Sequence, residues 1–437
     1  MGLVSLLSGI VSFMITKLKS KFKSEDNKRL LSNFLSLVIL QGASYILPLI
    51  TLPYLVRVLG VENYGLLAFA TAMIAYFSIM TDYGFNLTAT REISIHRNNK
   101  AKLIEIFSSV MIIKLIFMII SFIAMSIIVL SFEKFSQNWE IYFLTFGTVV
   151  GQVLFPIWFF QGMERMKYIT YLNIGSRLLF TIAIFVFIHN QTDLYIVPLL
   201  NAISGLTIGI ISLIILKIEF GIKFKFQERL VLKEKIIEGW HIFVSSIGIQ
   251  GYKINSILIL GIFTSELIVG YFVVAKKILD ITNQLNGIIS RVYFPYLVSK
   301  ATLTKASIKK YLNPLLFVMI GINFIVFILL FVFSSEITYF ITKKQSFEIV
   351  YLIKLFSILP LIIGINVPAV HYLLLSKKDK LFSLAVIIGF FVDIILNFIL
   401  IPNFSYQGAG FSVFITEILV TILLYTFAYK EFKRCQI

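Results

Sequence analysis

Cysteine, histidine and charged residues are scarce in this sequence, and each shortage excludes a class of protein. The 437 residues include one cysteine, Cys435, which excludes an intramolecular disulfide framework or a site built from several thiolates. The four histidines, His96, His189, His241 and His371, match no metal-ligand spacing, so we expect no metal site and no cofactor. Only 14% of the residues are charged, against about 25% in an ordinary soluble domain. A water-soluble globular protein is therefore a poor interpretation of the sequence.

The residues that are abundant are apolar, and they occur in long continuous runs. They make up 58% of the chain, with 43 phenylalanines, and the mean hydropathy is +0.92. About 20 apolar residues form a helix that crosses the bilayer, and such continuous runs exclude a transmembrane barrel. The runs lie at about 31–56, 64–88, 106–131, 140–162, 168–188, 194–216, 240–262, 267–290, 311–334, 349–374, 380–401 and 409–429. The sequence therefore predicts twelve transmembrane helices.

The basic residues fall mainly on one side of these predicted spans. The net charge is +17, and 29 of the 39 Lys and Arg residues lie in the two tails and the even-numbered connections. The opposite side holds only Arg57, Lys134, Lys343 and Lys344. Because basic residues accumulate on the cytoplasmic side, both termini are expected there, in the plasma membrane of a bacterium. The positive charge indicates topology, and nucleic acid is not an expected partner.

The first residues differ from the rest of the chain. Apolar side chains from Leu3 to Met14 lie on one helical face, and alternating lysines follow from Lys17 to Lys23. Sixteen residues are short for a transmembrane span, so this pattern favours an amphipathic helix at the membrane surface. The alternative is that the native protein begins near Met14 or later.

A weak internal repeat divides the chain into two similar parts. A shift of about 205 residues lays the first six spans over the last six, and it aligns Gly65 with Gly270. Six is an even number, so both parts enter the membrane in the same direction. We therefore predict an all-α polytopic membrane protein with two six-helix bundles related by a pseudo-two-fold axis along the membrane normal. The predicted parts are a cytoplasmic segment (1–29), an N-lobe (30–216), a cytoplasmic linker (217–239), a C-lobe (240–430) and a cytoplasmic tail (431–437).

Basic residues inside the predicted spans are candidates for binding a substrate. An ionised side chain at mid-bilayer costs about 3 kcal/mol even on a lenient scale, so such residues are functional candidates. They outnumber the interior acidic groups, which favours an anionic cargo in a cleft between the bundles. The candidate substrate-binding residues are Arg177, Lys253, Lys276, Lys277 and Lys114, with Asn173 and Gln250 near the first two. Asp280 has the spacing to pair with Lys276 or Lys277, and interhelical packing is the alternative role for these cations.

Acidic and amide residues in the last two spans are candidates for coupling transport to an ion. Asp393 and Asn397 are one helical turn apart in the eleventh span, and Glu417 lies in the twelfth. We expect these three residues to bind H⁺ or Na⁺, with a purely structural role as the alternative. A P-loop and other nucleotide-binding motifs are absent, so nucleotide hydrolysis by this chain is excluded as the energy source.

Several segments resemble a known family of membrane transporters. They are LPYLVRVLGVENYGLLAFATA (52–72), TDYGFNLTATREISIHR (81–97), PIWFFQGMERMKYIT (156–170) and LNFILIPNFSYQGAGFSVFITEI (396–418). The most specific residues are Trp158, Phe160, Gln161, Gly162 and Glu164. These segments are similar to the polysaccharide-repeat-unit (Wzx-type) flippases of the multidrug/oligosaccharidyl-lipid/polysaccharide (MOP) exporter superfamily, over roughly residues 30–430.

The resemblance implies a protein that flips lipid-linked sugars and is not an enzyme. Its expected cargo is an undecaprenyl-pyrophosphate-linked oligosaccharide, moved from the inner to the outer leaflet for O-antigen or capsule assembly. Cation antiport and contacts with other proteins of polysaccharide assembly are further expectations. A small-molecule antiporter and a membrane polymerase or ligase of the same pathway remain as alternatives, although the connections predicted on the external side are short for a polymerase.

Overall fold

The computed structural model describes residue 42, residues 47–300 and residues 305–433, and this part of the chain is helical with no β-strand. The N-terminal half contains α1 (Leu47–Leu59), α2 (Val61–Asp82), α3 (Phe85–Ile95), α4 (Lys100–Ser131), α5 (Glu133–Ser136), α6 (Trp139–Leu154), α7 (Ile157–Gly162), α8 (Met166–Phe187) and α9 (Ile196–Glu219). The C-terminal half contains α10 (Arg229–Phe263), α11 (Glu266–Lys300), α12 (Lys305–Val332), α13 (Ser334–Thr342), α14 (Phe347–Phe356), α15 (Leu359–Leu375) and α16 (Asp379–Lys433). The predicted all-α class is confirmed.

Nine helical stretches of the described residues are long and apolar enough to cross a bilayer. They are Val61–Ile95, Lys100–Ser131, Trp139–Gly162, Met166–Phe187, Gln191–Glu219, Arg229–Phe263, Tyr311–Val332, Phe347–Leu375 and Asp379–Lys433. Each overlaps a span predicted from the sequence, and α11 covers the predicted span 267–290. The protein therefore crosses the membrane many times. The exact number of twelve stays a prediction, because the N-terminal amphipathic helix and most of the span 31–56 lie outside the described residues.

The longest helix, α16, is a folded-back pair of helices. It has 55 residues, which would extend about 80 Å if straight, far more than the bilayer core of about 30 Å. Ser405 interrupts it with a backbone φ of 53°. The two arms then pack against each other, because the hydroxyl of Ser412 donates a hydrogen bond to the Asp393 carboxylate. This hairpin matches the predicted spans 380–401 and 409–429.

The two halves meet at one end through glycines, and we call this end the glycine end. A Cβ atom on Gly65 of α2 would lie 2.0 Å from the carbonyl oxygen of Glu266. A Cβ atom on Gly270 of α11 would lie 2.1 Å from the carbonyl oxygen of Val61. Only glycine allows two helix backbones to approach this closely. The two residues that the repeat aligns therefore lie in the same contact.

Two cations of the N-terminal half also bind the C-terminal half at the glycine end. The guanidinium of Arg57 donates to the carbonyl oxygens of Phe340 and Ile341 in the last turn of α13. The ammonium of Lys134 donates to the carbonyl oxygens of Ile262 and Thr264, where α10 ends. Carbonyl groups at helix C-termini carry partial negative charge and lack helical partners, so cations stabilise them. These hydrogen bonds tie the halves together through backbone carbonyl groups.

The apolar core is shared at the glycine end and divided at the other end. A single cluster joins Phe69 of the N-terminal half to Leu260 and Phe272 of the C-terminal half. At the opposite end, one core surrounds Phe159 and a separate one surrounds Leu373. We call this second end the arginine end, because Arg91 and Arg97 lie there. The closed end of the molecule is therefore the glycine end.

The first turns of α10 are attached to the N-terminal half at the arginine end. The ammonium of Lys235 lies 2.5 Å from the carboxylate of Glu92, and Arg91 lies 3.6 Å from Glu238. The ring of Phe243 stacks on the ring of Tyr83, 4.6 Å between centroids. Further along, α10 packs on α16. This helix therefore connects the two halves along its length.

The Trp-Phe-Phe-Gln-Gly segment is a structural anchor at the arginine end. Trp158, Phe159 and Phe160 of α7 are completely buried. Gly162 packs against Ile93 and Thr90 of α3, and the guanidinium of Arg97 donates to the Gly162 carbonyl at 2.7 Å. Arg97 also pairs with Glu164 at 2.6 Å, where the backbone turns with φ of 53°. The most specific sequence motif therefore stabilises the packing of α7 against α3.

Candidate functional site

A polar cluster inside the membrane-spanning helices surrounds Asp393, whose side chain is buried with only 1% exposure. The amide of Asn255 in α10 donates to one carboxylate oxygen at 3.0 Å. The hydroxyl of Ser412 donates to the other oxygen at 2.9 Å. The amide of Asn397 donates to the Asp393 backbone carbonyl at 2.8 Å. The cluster therefore holds its carboxylate in place with neutral donors from two helices.

Two further oxygen atoms in this region lack a hydrogen-bond partner in the described part of the chain. They are the amide oxygen of Asn397 and the hydroxyl oxygen of Thr416, and both are buried. Thr416 is one helical turn beyond Ser412 in the second arm of α16. Carboxylate, amide and hydroxyl oxygens are ligands that small hard cations prefer. This set of residues could hold a monovalent cation.

A second carboxylate, that of Glu417, lies in the second arm of α16, next to Thr416. The hydroxyl of Tyr252 in α10 donates to Glu417 at 2.7 Å. The ammonium of Lys276 in α11 is close enough to act electrostatically on both Glu417 and Asp393. The structure thus brings the three predicted coupling residues into one region and adds one of the predicted substrate-binding cations to it.

Lys253, Gln250 and Lys277 lie on exposed faces of their helices. Asp280 is exposed as well, and no ion pair with Lys276 or Lys277 occurs among the described residues. Lys253 likewise has no ion pair in that part of the chain. Lys253 and Lys277 remain candidates for binding an anion, and their role stays a prediction.

Arg177 lies in a separate pocket within the N-terminal half. The pocket has a volume of about 340 Å³ and lies between α1, α6, α8 and α9. Its polar lining consists of Arg177, Asn173, Ser176, Thr51, Thr148, Thr181 and Asn201. Asn173 donates to the backbone carbonyl of Ile169 at 2.9 Å, so its amide oxygen is available to other groups. Arg177 is exposed near the middle of α8 and forms no ion pair within the described residues.

The structure does not join Arg177 and Lys253 in one site through direct packing. Arg177 lies on α8, whose main neighbours are α7 and α9 of its own half. Lys253 lies on α10, which packs on α2, α11 and α16. The two cations therefore belong to different surfaces, and a ligand that contacts both has to extend between them.

Lys114 differs from the other cations because it is buried with a carboxylate. Its side chain is 1% exposed, and its ammonium lies 3.4 Å from the carboxylate of Asp82 at the end of α2. Sequence reasoning counted only Asp280, Asp393 and Glu417 as interior acidic groups and missed Asp82. A signal was present, because Asp82 lies within the predicted span 64–88. In this conformation Lys114 faces a partner rather than an open cavity.

We expect replacement of Lys114 by Met to destabilise the protein by about 3–5 kcal/mol, because it leaves Asp82 buried without its partner. The double variant Lys114→Met/Asp82→Asn should recover most of this loss. The measurement is the thermal unfolding of the purified protein in detergent. Equal stability of the single variant and the wild type would show that water, rather than Lys114, compensates the Asp82 charge.

Comparison with known proteins agrees with this architecture. The chain matches the model of the polysaccharide biosynthesis protein family over residues 30–301. It is 31% identical over 401 residues to a protein of Escherichia coli (strain K12) that carries the name "Putative O-antigen transporter", with 90% of this chain and 95% of that protein covered.

Solved structures of transporters have the same fold. One is the lipid II flippase MurJ in an inward closed conformation, with a TM-score of 0.71 and 16% identity over 90% of this chain and 86% of that chain. Another is an outward-facing MATE family multidrug resistance transporter of the MOP superfamily, with a TM-score of 0.58 and 11% identity over 95% and 98% of the two chains.

The fold and its relatives define a multi-pass membrane transport protein rather than an enzyme. Within that class, the chain belongs to the polysaccharide biosynthesis protein family. The resemblance found in the sequence is thereby confirmed.

Proposed function

We propose that this protein is a flippase for a lipid-linked oligosaccharide in the bacterial inner membrane. Its cargo is an undecaprenyl-pyrophosphate-linked repeat unit, moved from the inner to the outer leaflet for O-antigen or capsule assembly. The name of the Escherichia coli relative supports a polysaccharide cargo, and the fold shared with a lipid II flippase supports a lipid-linked one. Sugar hydroxyls and phosphates cannot cross hydrocarbon unpaired, so such a cargo needs polar groups inside the membrane.

The orientation follows from the distribution of basic residues. Most of them lie at the arginine end, which we place in the cytoplasm together with both termini. The glycine end then faces the outside and is closed, so the two lobes separate towards the cytoplasm. The contact between the repeat-related Gly65 and Gly270 supports a pseudo-two-fold axis between the lobes, because a residue meets its symmetry mate only near such an axis.

The observation that carries the proposal is that Arg177 and Lys253, in membrane-spanning helices, have no counter-ion in the described chain. An unpaired cation at this depth is expensive unless an anionic ligand compensates it. Arg can bind a phosphate through two parallel hydrogen bonds, whereas Lys supplies a point charge. Asn173 and Gln250 are the polar residues proposed to assist them. Lys276, Lys277 and Lys114 complete the proposed set of head-group residues, reached as the lobes move.

The Asp393 cluster is the proposed coupling site. Asp393, Asn397 and Glu417, with Asn255 and Ser412, would bind H⁺ or Na⁺ in exchange for the cargo. The inside-negative potential alone favours outward movement of a negative head group, by about 2.3 kcal/mol per charge per 100 mV. Ion antiport through this cluster would add to that force. Alternating access between an inward-open and an outward-open form completes the mechanism.

Neutralising the unpaired cations tests this function. We expect Arg177→Gln and Lys253→Gln each to reduce surface polymer at least about tenfold, because each removes a charge-assisted contact with the pyrophosphate. The measurement is the amount of surface polysaccharide in cells that lack the native protein, together with the amount of each variant in the membrane. Arg229→Gln is the control, because it removes a cation from α10 outside the apolar stretch. Full polymer from both variants would contradict the proposal.

A further inference from the structure

We infer that the apolar groove between α8 and α9 binds the isoprenoid chain of a polyprenyl phosphate, whose phosphate reaches Arg177 in the adjoining pocket. This inference rests on the proposed function, since it specifies where the lipid part of the cargo lies. The groove is on the N-terminal half alone.

The groove is a defined cavity with an apolar lining. Its volume is about 230 Å³, and it is lined mainly by side chains of α8 and α9, among them Leu179, Leu200 and Ile203. Leu179 and Ile203 are well exposed, at 63% and 50%, so the groove opens on the outer surface of the protein. Gly175 is part of its lining, and a Cβ atom there would meet no atom within 4 Å. The missing side chain at this position leaves room for a flexible apolar chain.

The apolar groove and the polar Arg177 pocket share one wall. Ser176, Phe180 and Ile208 line both cavities. Within this wall the hydroxyls of Ser176 and Ser204 are hydrogen-bonded to each other, and Ser204 also donates to the backbone carbonyl of Ser176 at 3.1 Å. Two small hydroxyl side chains therefore lie beside Phe180 and Ile208 where the groove meets the pocket. A lipid with one anionic group can therefore occupy both cavities.

Charge complementarity identifies the lipid. An apolar chain gains little free energy by leaving bilayer lipid for an apolar groove, since both environments are apolar. The specificity must come from the polar end of the ligand and from the shape of the groove. Arg177 supplies an unpaired cation, and Asn173 and Asn201 line the same pocket. One apolar groove beside one cation matches a single apolar chain with one anionic group, which is the architecture of a polyprenyl phosphate and not of a two-chain phospholipid.

Filling the groove tests the inference directly. The full-length protein in detergent is titrated with radiolabelled undecaprenyl phosphate, with undecaprenol and dioleoyl phosphatidylglycerol as competitors. We expect Gly175→Leu to raise the Kd about tenfold, because its side chain occupies the groove, which corresponds to about 1.4 kcal/mol. Arg177→Gln should raise it similarly and abolish the preference for undecaprenyl phosphate over undecaprenol.

The matched control is Gly321→Leu. Gly321 lies in a membrane-spanning helix, α12, and a Cβ atom there also meets nothing within 4 Å, so the substitution should leave the Kd unchanged. If Gly175→Leu is not recovered folded, Leu179→Trp fills the same groove from its rim and should also raise the Kd.

The outcomes separate the inference from the proposed function. Unchanged binding in Gly175→Leu, or equal competition by phosphatidylglycerol, overturns the groove assignment. If Arg177→Gln also abolishes surface polymer, the flippase proposal then stands without the groove. Normal polymer in the Arg177→Gln and Lys253→Gln variants overturns the proposed function, whatever the groove binds.

Discussion

Replacing Gly65 by Leu should abolish transport. The new Cβ atom would lie 2.0 Å from the carbonyl oxygen of Glu266, and this neighbour is helix backbone that cannot rotate away. Overpacking usually costs about 1–3 kcal/mol, and a clash with backbone lies at the upper end of that range. The glycine end can then no longer close, so the conformation with a closed glycine end is lost while each half keeps its own core. Surface polymer measures the loss.

A cysteine reporter distinguishes an opened interface from a missing protein. Val269 is completely buried at the glycine end, and Val269→Cys in a Cys435→Ser background places a thiol there. We expect a water-soluble maleimide to label this thiol when Gly65→Leu is added and to leave it unlabelled when Gly321→Leu is added. An unlabelled thiol and normal polymer in the Gly65→Leu variant would contradict the role assigned to this contact.

Replacing Asp393 by Asn should reduce transport about a hundredfold, the upper end of the loss seen when groups that support a metal site are removed. The substitution keeps the shape of the side chain but removes the negative charge that Asn255 and Ser412 hold in place. A cation would lose its charged ligand. Transport of a lipid-linked oligosaccharide into the outer leaflet of proteoliposomes, with and without a Na⁺ or H⁺ gradient, is the measurement.

Ligand-dependent stability gives an independent test of the same site. A bound ion stabilises the folded state, so the Tm of the wild type should rise on exchange of choline for Na⁺, if Na⁺ is the ion. Asp393→Asn should show no such rise, and Asp379→Asn, an exposed carboxylate in the first turn of α16, should behave as the wild type. Gradient-independent transport at full rate in Asp393→Asn would remove this cluster from the mechanism.

The helices were predictable because lipid imposes a simple rule on the sequence. A segment that crosses hydrocarbon must be apolar for about 20 residues and must bond its own backbone. The span at 168–188 therefore coincides with α8 to within two residues, and the span at 106–131 lies within α4, which begins six residues earlier. The hairpin in α16 was also predictable, since Pro402 and the polar residues after it interrupt two apolar runs.

The direction of each side chain was not predictable from the same rule. Lys253 and Asn255 are two residues apart in α10, and this spacing places them on opposite faces of a helix. The structure buries Asn255 against Asp393 and exposes Lys253. Helix rotation depends on packing with neighbours, which the hydropathy of a single span does not encode. For the same reason, Ser412 and Tyr252 were missed as partners of the two carboxylates.

The two ends of the molecule should respond differently to acid. Arg57 and Lys134 hold the glycine end through backbone carbonyls, which do not titrate. The arginine end is attached to α10 through carboxylates, and protonation of Glu92 would remove its ion pair with Lys235. Acid would therefore leave the glycine end fastened, whereas it would loosen the attachment of the first turns of α10 at the arginine end.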